Sequence, residues 1–117
     1  MVLSLRRIQK GDKLQGEWGE FLHKKGVKIN DFNKLREEIE IETDKIAGSS
    51  GKCISDKPIS LTIYSPNVVD LTLVDLPGIT KVPVHGQPSD VEELVKKLIL
   101  SYIRQPNALI LAISAAN

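Results

Sequence analysis

Two hydrophobic patterns along the chain, alternation and short continuous apolar runs, predict its strands. Residues 2–8 alternate apolar and polar side chains over part of their length, and residues 59–64 alternate with period two, so both predict half-buried strands. Residues 71–74 and 108–113 are short, nearly continuous apolar runs, which are typical of strands covered on both faces. The pattern therefore predicts four strands, two of them buried.

Apolar residues at steps of three and four predict helices between these strands. Residues 17–24 predict one short helix, although Gly19 weakens it by about 1 kcal/mol. Residues 32–47 predict a long amphipathic surface helix, with Asp31 as its N-cap and Gly48 closing its last turn. Its apolar stripe consists of Phe32, Leu35, Ile39 and Ile46.

A third helix is predicted over residues 89–104, where Ser89 and Glu92 form a capping box. Strand 71–74, this helix and strand 108–113 then follow one another as a βαβ unit, whose strands are parallel. The predicted fold class is α/β, a mostly parallel sheet with flanking helices. Residues 10–58 interrupt this alternation and predict an insertion of short helices and loops.

Composition narrows the class of protein. With 117 residues the chain has room for one domain, and 41% hydrophobic and 26% charged residues are ordinary for a globular protein. The chain has 16 Lys and Arg residues and 15 Asp and Glu residues, so it lacks the excess positive charge that attracts the phosphates of nucleic acids. The chain has one cysteine, Cys53, and contains neither a secretory signal nor an apolar run long enough to cross a membrane. These features favour a cytosolic protein. Both ends are strand-like, as in the middle of a larger domain.

The candidate chemistry lies at Asp75-Leu76-Pro77-Gly78, where a predicted buried strand ends. A carboxylate at a strand end can hold a magnesium-bound water, and a glycine lets its backbone N–H approach a γ-phosphate. The alternative is a strand-ending aspartate followed by a Pro-Gly turn.

A second glycine-rich segment, residues 48–53, does not qualify as a P-loop. Ile46 stands where the motif needs its first glycine, Cys53 replaces the magnesium-binding hydroxyl, and the segment follows a helix rather than a strand. Neither His23 nor His85 has a sequence partner for catalysis or metal binding, so both are expected to be surface or packing residues.

Residues 65–83, S-P-N-V-V-D-L-T-L-V-D-L-P-G-I-T-K-V-P, followed by Gly86-Gln87-Pro88, resemble the GTPase domain of the dynamin superfamily. Within it the similarity is to dynamin-related proteins of organelle division and vesicle scission. Residues 16–23, 31–48 and 106–117 resemble the same family in the same order, so the resemblance covers essentially the whole chain.

The resemblance implies roles for individual residues. Asp75, Leu76, Pro77 and Gly78 would form the third guanine-nucleotide motif, with Asp75 acting on Mg²⁺ through water and the Gly78 amide touching the γ-phosphate. Residues 79–87 would be switch II, which GTP orders. Within it Thr80 and Lys81 are the catalytic candidates, and Lys81 would contact a partner GTPase domain, the alternative being a solvated loop lysine.

The family's P-loop, switch I threonine and [TN]-K-x-D motif do not occur in residues 1–117. We therefore expect the chain to be the central part of a dynamin-type GTPase domain that lacks the P-loop strand. The third motif and switch II are expected within residues 59–117. The resemblance implies that the intact protein hydrolyses GTP with Mg²⁺, pairs through its GTPase domains, self-assembles and remodels or divides membranes. It would be cytoplasmic and peripheral on organelle or vesicle membranes.

This chain by itself is expected to be inactive and of poor independent stability, because by the resemblance the P-loop strand would separate strand 71–74 from strand 108–113. Two other hypotheses stay open at this point. The chain could be a non-enzymatic isoform that binds an intact GTPase subunit, or an unrelated α/β domain in which D-x-x-G occurs by chance.

Overall fold

The structure is a computed structural model that describes residues 1–9, 16–50, 55–78 and 91–114, with the side chains of 47–50 left out. The chain divides into two compact units, Met1–Asp75 and Leu76–Asn117. The first unit holds four strands and the long helix, and the second holds one helix and the residues that follow it.

A mixed four-stranded sheet forms the first unit. Its strands are β1 (Val2–Arg7), β2 (Trp18–Phe21), β3 (Ser60–Ser65) and β4 (Leu71–Val74), in the order β2-β3-β1-β4. Strand β1 pairs parallel with β3 and antiparallel with β4, and β2 pairs antiparallel with β3.

The prediction of a mostly parallel sheet is therefore wrong for the described strands, since two of the three strand pairs are antiparallel. The reason is the short connection from β3 to β4, residues 66–70. A parallel crossover needs a dozen or more residues, so β4 has to return in the opposite direction to β3.

Strand alternation gives the sheet one apolar face, which helix α1 (Phe32–Ser50) covers in part. Phe21 of β2, Leu61 of β3 and Leu35 of α1 are almost fully buried and form the core. Leu3, Ile29, Ile39, Ile59 and Ile63 pack around these three. The core thus ties α1 to β1, β2 and β3.

The predicted short helix over residues 17–24 is instead strand β2 followed by a 3₁₀ helix, Leu22–Lys24. Trp18 pairs with Tyr64 across the strands, and the two rings stack with centroids 4.5 Å apart. Lys28 Nζ lies 4.4 Å from the centre of the Trp18 ring. Phe21 enters the core, so cross-strand pairing with β3 determines the structure of this segment.

The prediction of helix α1 is confirmed, and it ends later than expected. The Asn33 N–H donates to Asp31 Oδ1 at 2.9 Å, as predicted for an N-cap. The helix continues through Gly48 to Ser50, so Gly48 does not close it.

No helix among the described residues is long and apolar enough to cross a membrane.

Strand β4 forms as predicted, but it is not covered on both faces. It is the edge strand beside β1, and all four of its residues are exposed. Leu71 and Leu73 lie on the same face as Leu5 and Leu3, their partners in β1. The apolar face of the sheet therefore continues beyond the part that α1 covers.

The second unit contains helix α2 (Val91–Ile103), close to the predicted bounds, with Ser89 of the predicted capping box outside the described residues. Val91 and Val95 are buried, and two i,i+4 ion pairs, Lys96–Glu92 and Lys97–Glu93, lie along its exposed surface. Hydrogen bonding to Lys97 holds the pKa of the Glu93 carboxyl below its usual value.

The predicted buried strand at residues 108–113 is wrong for this structure. These residues are exposed and take no strand conformation, and Leu109 is fully exposed. A strand forms only when a neighbour accepts its backbone hydrogen bonds, and no described strand pairs with this segment. The predicted βαβ unit is consequently not formed by the described residues.

Candidate functional site

Asp75 directly follows β4, the position from which the sequence predicted nucleotide chemistry. Its backbone continues the β1–β4 ladder: the Asp75 N–H donates to the Met1 carbonyl at 2.8 Å, and the Met1 amino group donates to the Asp75 carbonyl at 2.7 Å. These two bonds fix the backbone of Asp75 while its side chain stays exposed. Among the described residues, no hydrogen bond or ion pair engages its carboxylate.

A magnesium ion is the cofactor that the sequence implied here, and the Asp75 side chain suits it. Mg²⁺ is bound through one or two carboxylates, several retained waters and substrate phosphates rather than by an all-protein cage. A single exposed carboxylate on a fixed backbone matches that donor set. The side chain keeps its acceptor oxygens open to solvent.

The remaining motif residues are described in the second unit. Leu76 is half-buried, and Pro77 and Gly78 are exposed. A Cβ built at Gly78 would meet no atom within 4 Å, so its backbone is open to approach. Thr80, Lys81 and the rest of the predicted switch II, including His85, lie outside the described residues, as does Cys53.

A polar cluster built on the buried Ser65 anchors the loop that leads into β4. Ser65, almost fully buried at the end of β3, donates its hydroxyl to Glu17 Oε1 at 2.5 Å. Asn67 completes the cluster, since its Nδ2 donates to the same oxygen at 3.1 Å and its backbone N–H to Ser65 Oγ at 3.0 Å. Hydrogen bonds from Ser65 and Asn67 lower the pKa of Glu17.

A second contact holds the far end of that loop. Asp70 Oδ1 accepts the backbone N–H of Arg7 at 2.7 Å, immediately before β4 begins. Ser65, Asn67 and Asp70 therefore hold the loop at both of its ends. The position of Asp75 follows from this loop and from the β1–β4 pairing.

A further group of polar side chains, which sequence reasoning missed, joins the 3₁₀ helix to α1. His23 Nε2 lies 2.8 Å from Glu38 Oε1, and Lys24 Nζ donates to Glu38 Oε2 at 2.6 Å. The hydrogen bonds from Lys24 and His23 hold the pKa of Glu38 below its usual value. The available signal was Glu38 and Glu42 at i,i+4 spacing on one helix, but their pairing with His23 depends on tertiary structure.

Comparison with known proteins gives one family. The sequence matches the Dynamin family over residues 1–117. It is 58% identical over 101 residues to Dynamin-1-like protein of Danio rerio, covering 86% of this chain and 14% of that protein. It is 54% identical over 112 residues to Dynamin-1-like protein of Bos taurus, covering 96% and 15%.

A fungal relative is equally similar. Dynamin-related protein DNM1 of Saccharomyces cerevisiae is 58% identical over 101 residues, which cover 86% of this chain and 13% of that protein. The chain therefore spans 13 to 15% of the length of these three relatives.

Proposed function

This chain belongs to the dynamin family, and on that basis we propose that it is part of a GTPase domain that hydrolyses GTP to GDP and phosphate. Family membership excludes the hypothesis of an unrelated α/β domain with a chance D-x-x-G. The observation that carries the proposal is the Asp75 carboxylate, exposed at the end of β4 and unpaired among the described residues. Open α/β sheets bind ligands at the carboxyl ends of their strands.

In the proposed site the Asp75 carboxylate would hold a magnesium ion through one of its waters. A bound magnesium ion neutralises charge that develops on the phosphates during transfer. The contribution of Asp75 is to orient that water, and the two backbone bonds to Met1 support it because they restrict the main chain at Asp75. Pre-organisation of this kind is the main source of rate in phosphoryl transfer.

Gly78 and the following residues complete the proposed roles. The Gly78 N–H donates to the γ-phosphate, which its exposed position and the free space around its Cα allow. Leu76 and Pro77 belong to the same proposed nucleotide-binding motif. Thr80 and Lys81 act in switch II, with Lys81 reaching a partner GTPase domain.

At the level of the whole protein we propose self-association through paired GTPase domains and work on membranes, leading to fission or division of an organelle. The support is similarity to proteins named Dynamin-1-like and Dynamin-related. Localisation on the cytoplasmic side of those membranes, as a peripheral protein, belongs to the same proposal.

The decisive experiment uses the full-length protein that contains these residues. Asp75→Asn removes the negative charge while keeping the shape of the side chain, and we expect GTP turnover, measured as phosphate release, to fall at least about 100-fold, or about 2.7 kcal/mol in activation free energy. Asp56→Asn, at an exposed position of the described chain, is the matched control and keeps full activity. Wild-type turnover in Asp75→Asn would refute the proposal.

A separate measurement addresses the 117-residue chain by itself. Its sequence contains no G-x-x-x-x-G-K-[ST] motif, and that motif cradles the phosphates in this class of site. We therefore propose that the isolated chain neither binds GTP tightly nor hydrolyses it. Micromolar binding of a fluorescent GTP analogue by the purified chain would contradict this.

A further inference from the structure

One histidine and two glutamates converge where the 3₁₀ helix meets α1. His23 lies in the 3₁₀ helix, and Glu38 and Glu42 lie one turn apart on α1. Each offers one ligand atom, and the three atoms lie within 4.8 Å of one another. We name this group the His-Glu-Glu cluster.

The two distances from His23 in the cluster, one shorter and one longer, lie on either side of the value for a tetrahedral metal site. Metal bonds of about 2.0 to 2.1 Å place two ligand atoms about 3.3 Å apart in a tetrahedron. His23 Nε2 lies 2.8 Å from Glu38 Oε1 and 3.9 Å from Glu42 Oε2. The third pair, the Glu38 and Glu42 oxygens, lies within 4.8 Å. Side-chain movements that change these separations by at most about 1.5 Å therefore bring all three atoms to metal-bonding distance from one centre.

The two oxygens of Glu38 have separate partners, which keeps one of them available. Lys24 Nζ donates to Oε2, whereas Oε1 faces His23. A ligating carboxylate is commonly held by a hydrogen bond to its second oxygen, which orients the first. Glu38 is itself only 8% exposed, so few orientations of its side chain are open.

The competing contact at Glu42 is weaker. Lys45 Nζ lies 3.4 Å from Glu42 Oε2, and the side chain of Lys45 is largely exposed. Charge-assisted N–H···O bonds are usually about 2.7 to 2.9 Å long, so this contact is a long one, although the Glu42 side chain itself is only 14% exposed. A divalent ion at the cluster would displace Lys45 at small cost.

From this geometry we propose that the His-Glu-Glu cluster binds a divalent transition-metal ion of the zinc class, at a site separate from the magnesium position at Asp75. One imidazole nitrogen with two carboxylate oxygens suits zinc, whereas magnesium is held by oxygen ligands and water. Three protein ligands leave the fourth tetrahedral position to water. The ion would link the 3₁₀ helix to α1, adding to the bonds that Lys24 already makes.

The test titrates ZnCl₂ into the 117-residue chain carrying Cys53→Ser and His85→Ala, which removes the single thiol and the other imidazole. We expect calorimetry to show one saturable site and the melting temperature to rise with zinc concentration, as linkage requires for a ligand of the folded state. His23→Ala and Glu42→Gln should each weaken zinc binding about tenfold or more. Glu37→Gln, at an exposed position of the same helix, is the matched control and should bind as the parent does.

Two further readouts keep the outcome clear. If His23→Ala fails to fold, judged by circular dichroism, Glu42→Gln and the zinc-dependent shift of the His23 ring signals in NMR decide the question. A 100-fold excess of MgCl₂ should leave zinc binding unchanged. Absence of a saturable site, or equal zinc affinity in the Glu42→Gln variant, would show that the cluster is an ion-pair link only.

Discussion

Gly19 lies directly beneath Leu35: a Cβ added at Gly19 would stand 2.8 Å from Leu35 Cδ1 and 2.9 Å from Cδ2. The same Cβ would approach Leu61 Cδ1 to 3.2 Å. Leu35 and Leu61 are both core residues with almost no exposed surface, so their methyl groups have little room to move. The absence of a side chain at Gly19 is what lets α1 approach the sheet.

Gly19→Ala should therefore destabilise the chain by about 1 to 3 kcal/mol, the usual cost of overpacking a core. The measurement is urea unfolding followed by the fluorescence of Trp18, the sole tryptophan. Gly16→Ala is the matched control, because a Cβ there meets nothing within 4 Å. Equal midpoints for the two variants would mean that α1 does not pack closely on Gly19.

Ser65→Ala should destabilise the chain by about 0.5 to 1.5 kcal/mol, because it removes the hydroxyl that accepts the Asn67 N–H in a part-buried hydrogen bond. The same variant should raise the pKa of Glu17 toward its ordinary value, since the Ser65 hydroxyl is the main cause of the lowered one. Urea unfolding and NMR titration of the Glu17 carboxyl measure the two effects.

Ser4→Ala serves as the control for Ser65. The Ser4 hydroxyl has only a long contact, 3.4 Å, with the Thr72 hydroxyl. We expect the Ser4→Ala variant to have the same unfolding free energy and the same Glu17 pKa as the parent. A Glu17 pKa that does not move in Ser65→Ala would contradict the assigned cause.

The free energy of unfolding should fall as the pH drops below about 4.3. Glu17 and Glu38 both have a lowered pKa in the folded chain, held down at Glu17 by Ser65 and at Glu38 by Lys24 and His23. Each contribution is complete above the unfolded pKa of about 4.3 and is lost as the pH falls through the lower folded value. The measurement is the urea midpoint between pH 7 and pH 3.

The variant Glu38→Gln separates this effect from general acid unfolding. Its midpoint should depend less on pH below about 4.3 than the parent's, because the amide does not titrate. Glu40→Gln, at an exposed position of the same helix, should keep the parent's slope. Parallel curves for the parent and Glu38→Gln would contradict the prediction.

Residues 108–113 should limit the solubility of the isolated chain. Leu109, Leu111 and Ile113 are each more than four-fifths exposed in an otherwise apolar run, which is a liability for aggregation. The double variant Leu109→Lys/Leu111→Lys should lower light scattering at high concentration without changing the urea midpoint. The control Gln105→Lys/Asn107→Lys adds the same charge but retains the apolar side chains, so it should aggregate more than the first variant.

Local sequence pattern predicted α1 and α2 well, because each has an amphipathic repeat that does not depend on distant residues. It was wrong at β2, where Trp18 and Phe21 lie three residues apart and suggest a helix. In the structure these two side chains lie on opposite faces of the sheet, paired with Tyr64 and Leu61. Pairing across 40 to 46 residues leaves no local signal, although Gly19, a poor helix residue, pointed to close backbone contact.

The apolar runs show a different limit. The composition of Leu71–Val74 and of residues 108–113 is that of covered strands, yet both are exposed here. The hydrophobic pattern shows which faces of a segment tend to be buried. It does not show which other segment buries them, because that depends on the whole fold. Asp75 was located correctly at the end of a strand, and the His-Glu-Glu cluster was invisible because it joins residues 15 to 19 positions apart.

The central position of β1 in the sheet has a consequence for biosynthesis. Of the four described strands β1 is synthesised first, and both of its partners, β3 and β4, follow more than 50 residues later. Until Ser65 has left the ribosome β1 lacks its partner β3, and until Val74 has left it lacks β4. We expect its apolar side chains to be open to chaperones or other nascent chains during that time. Closing such long loops is slow compared with forming α1, so we expect the helix to form early and the sheet to assemble late, in one step around β1.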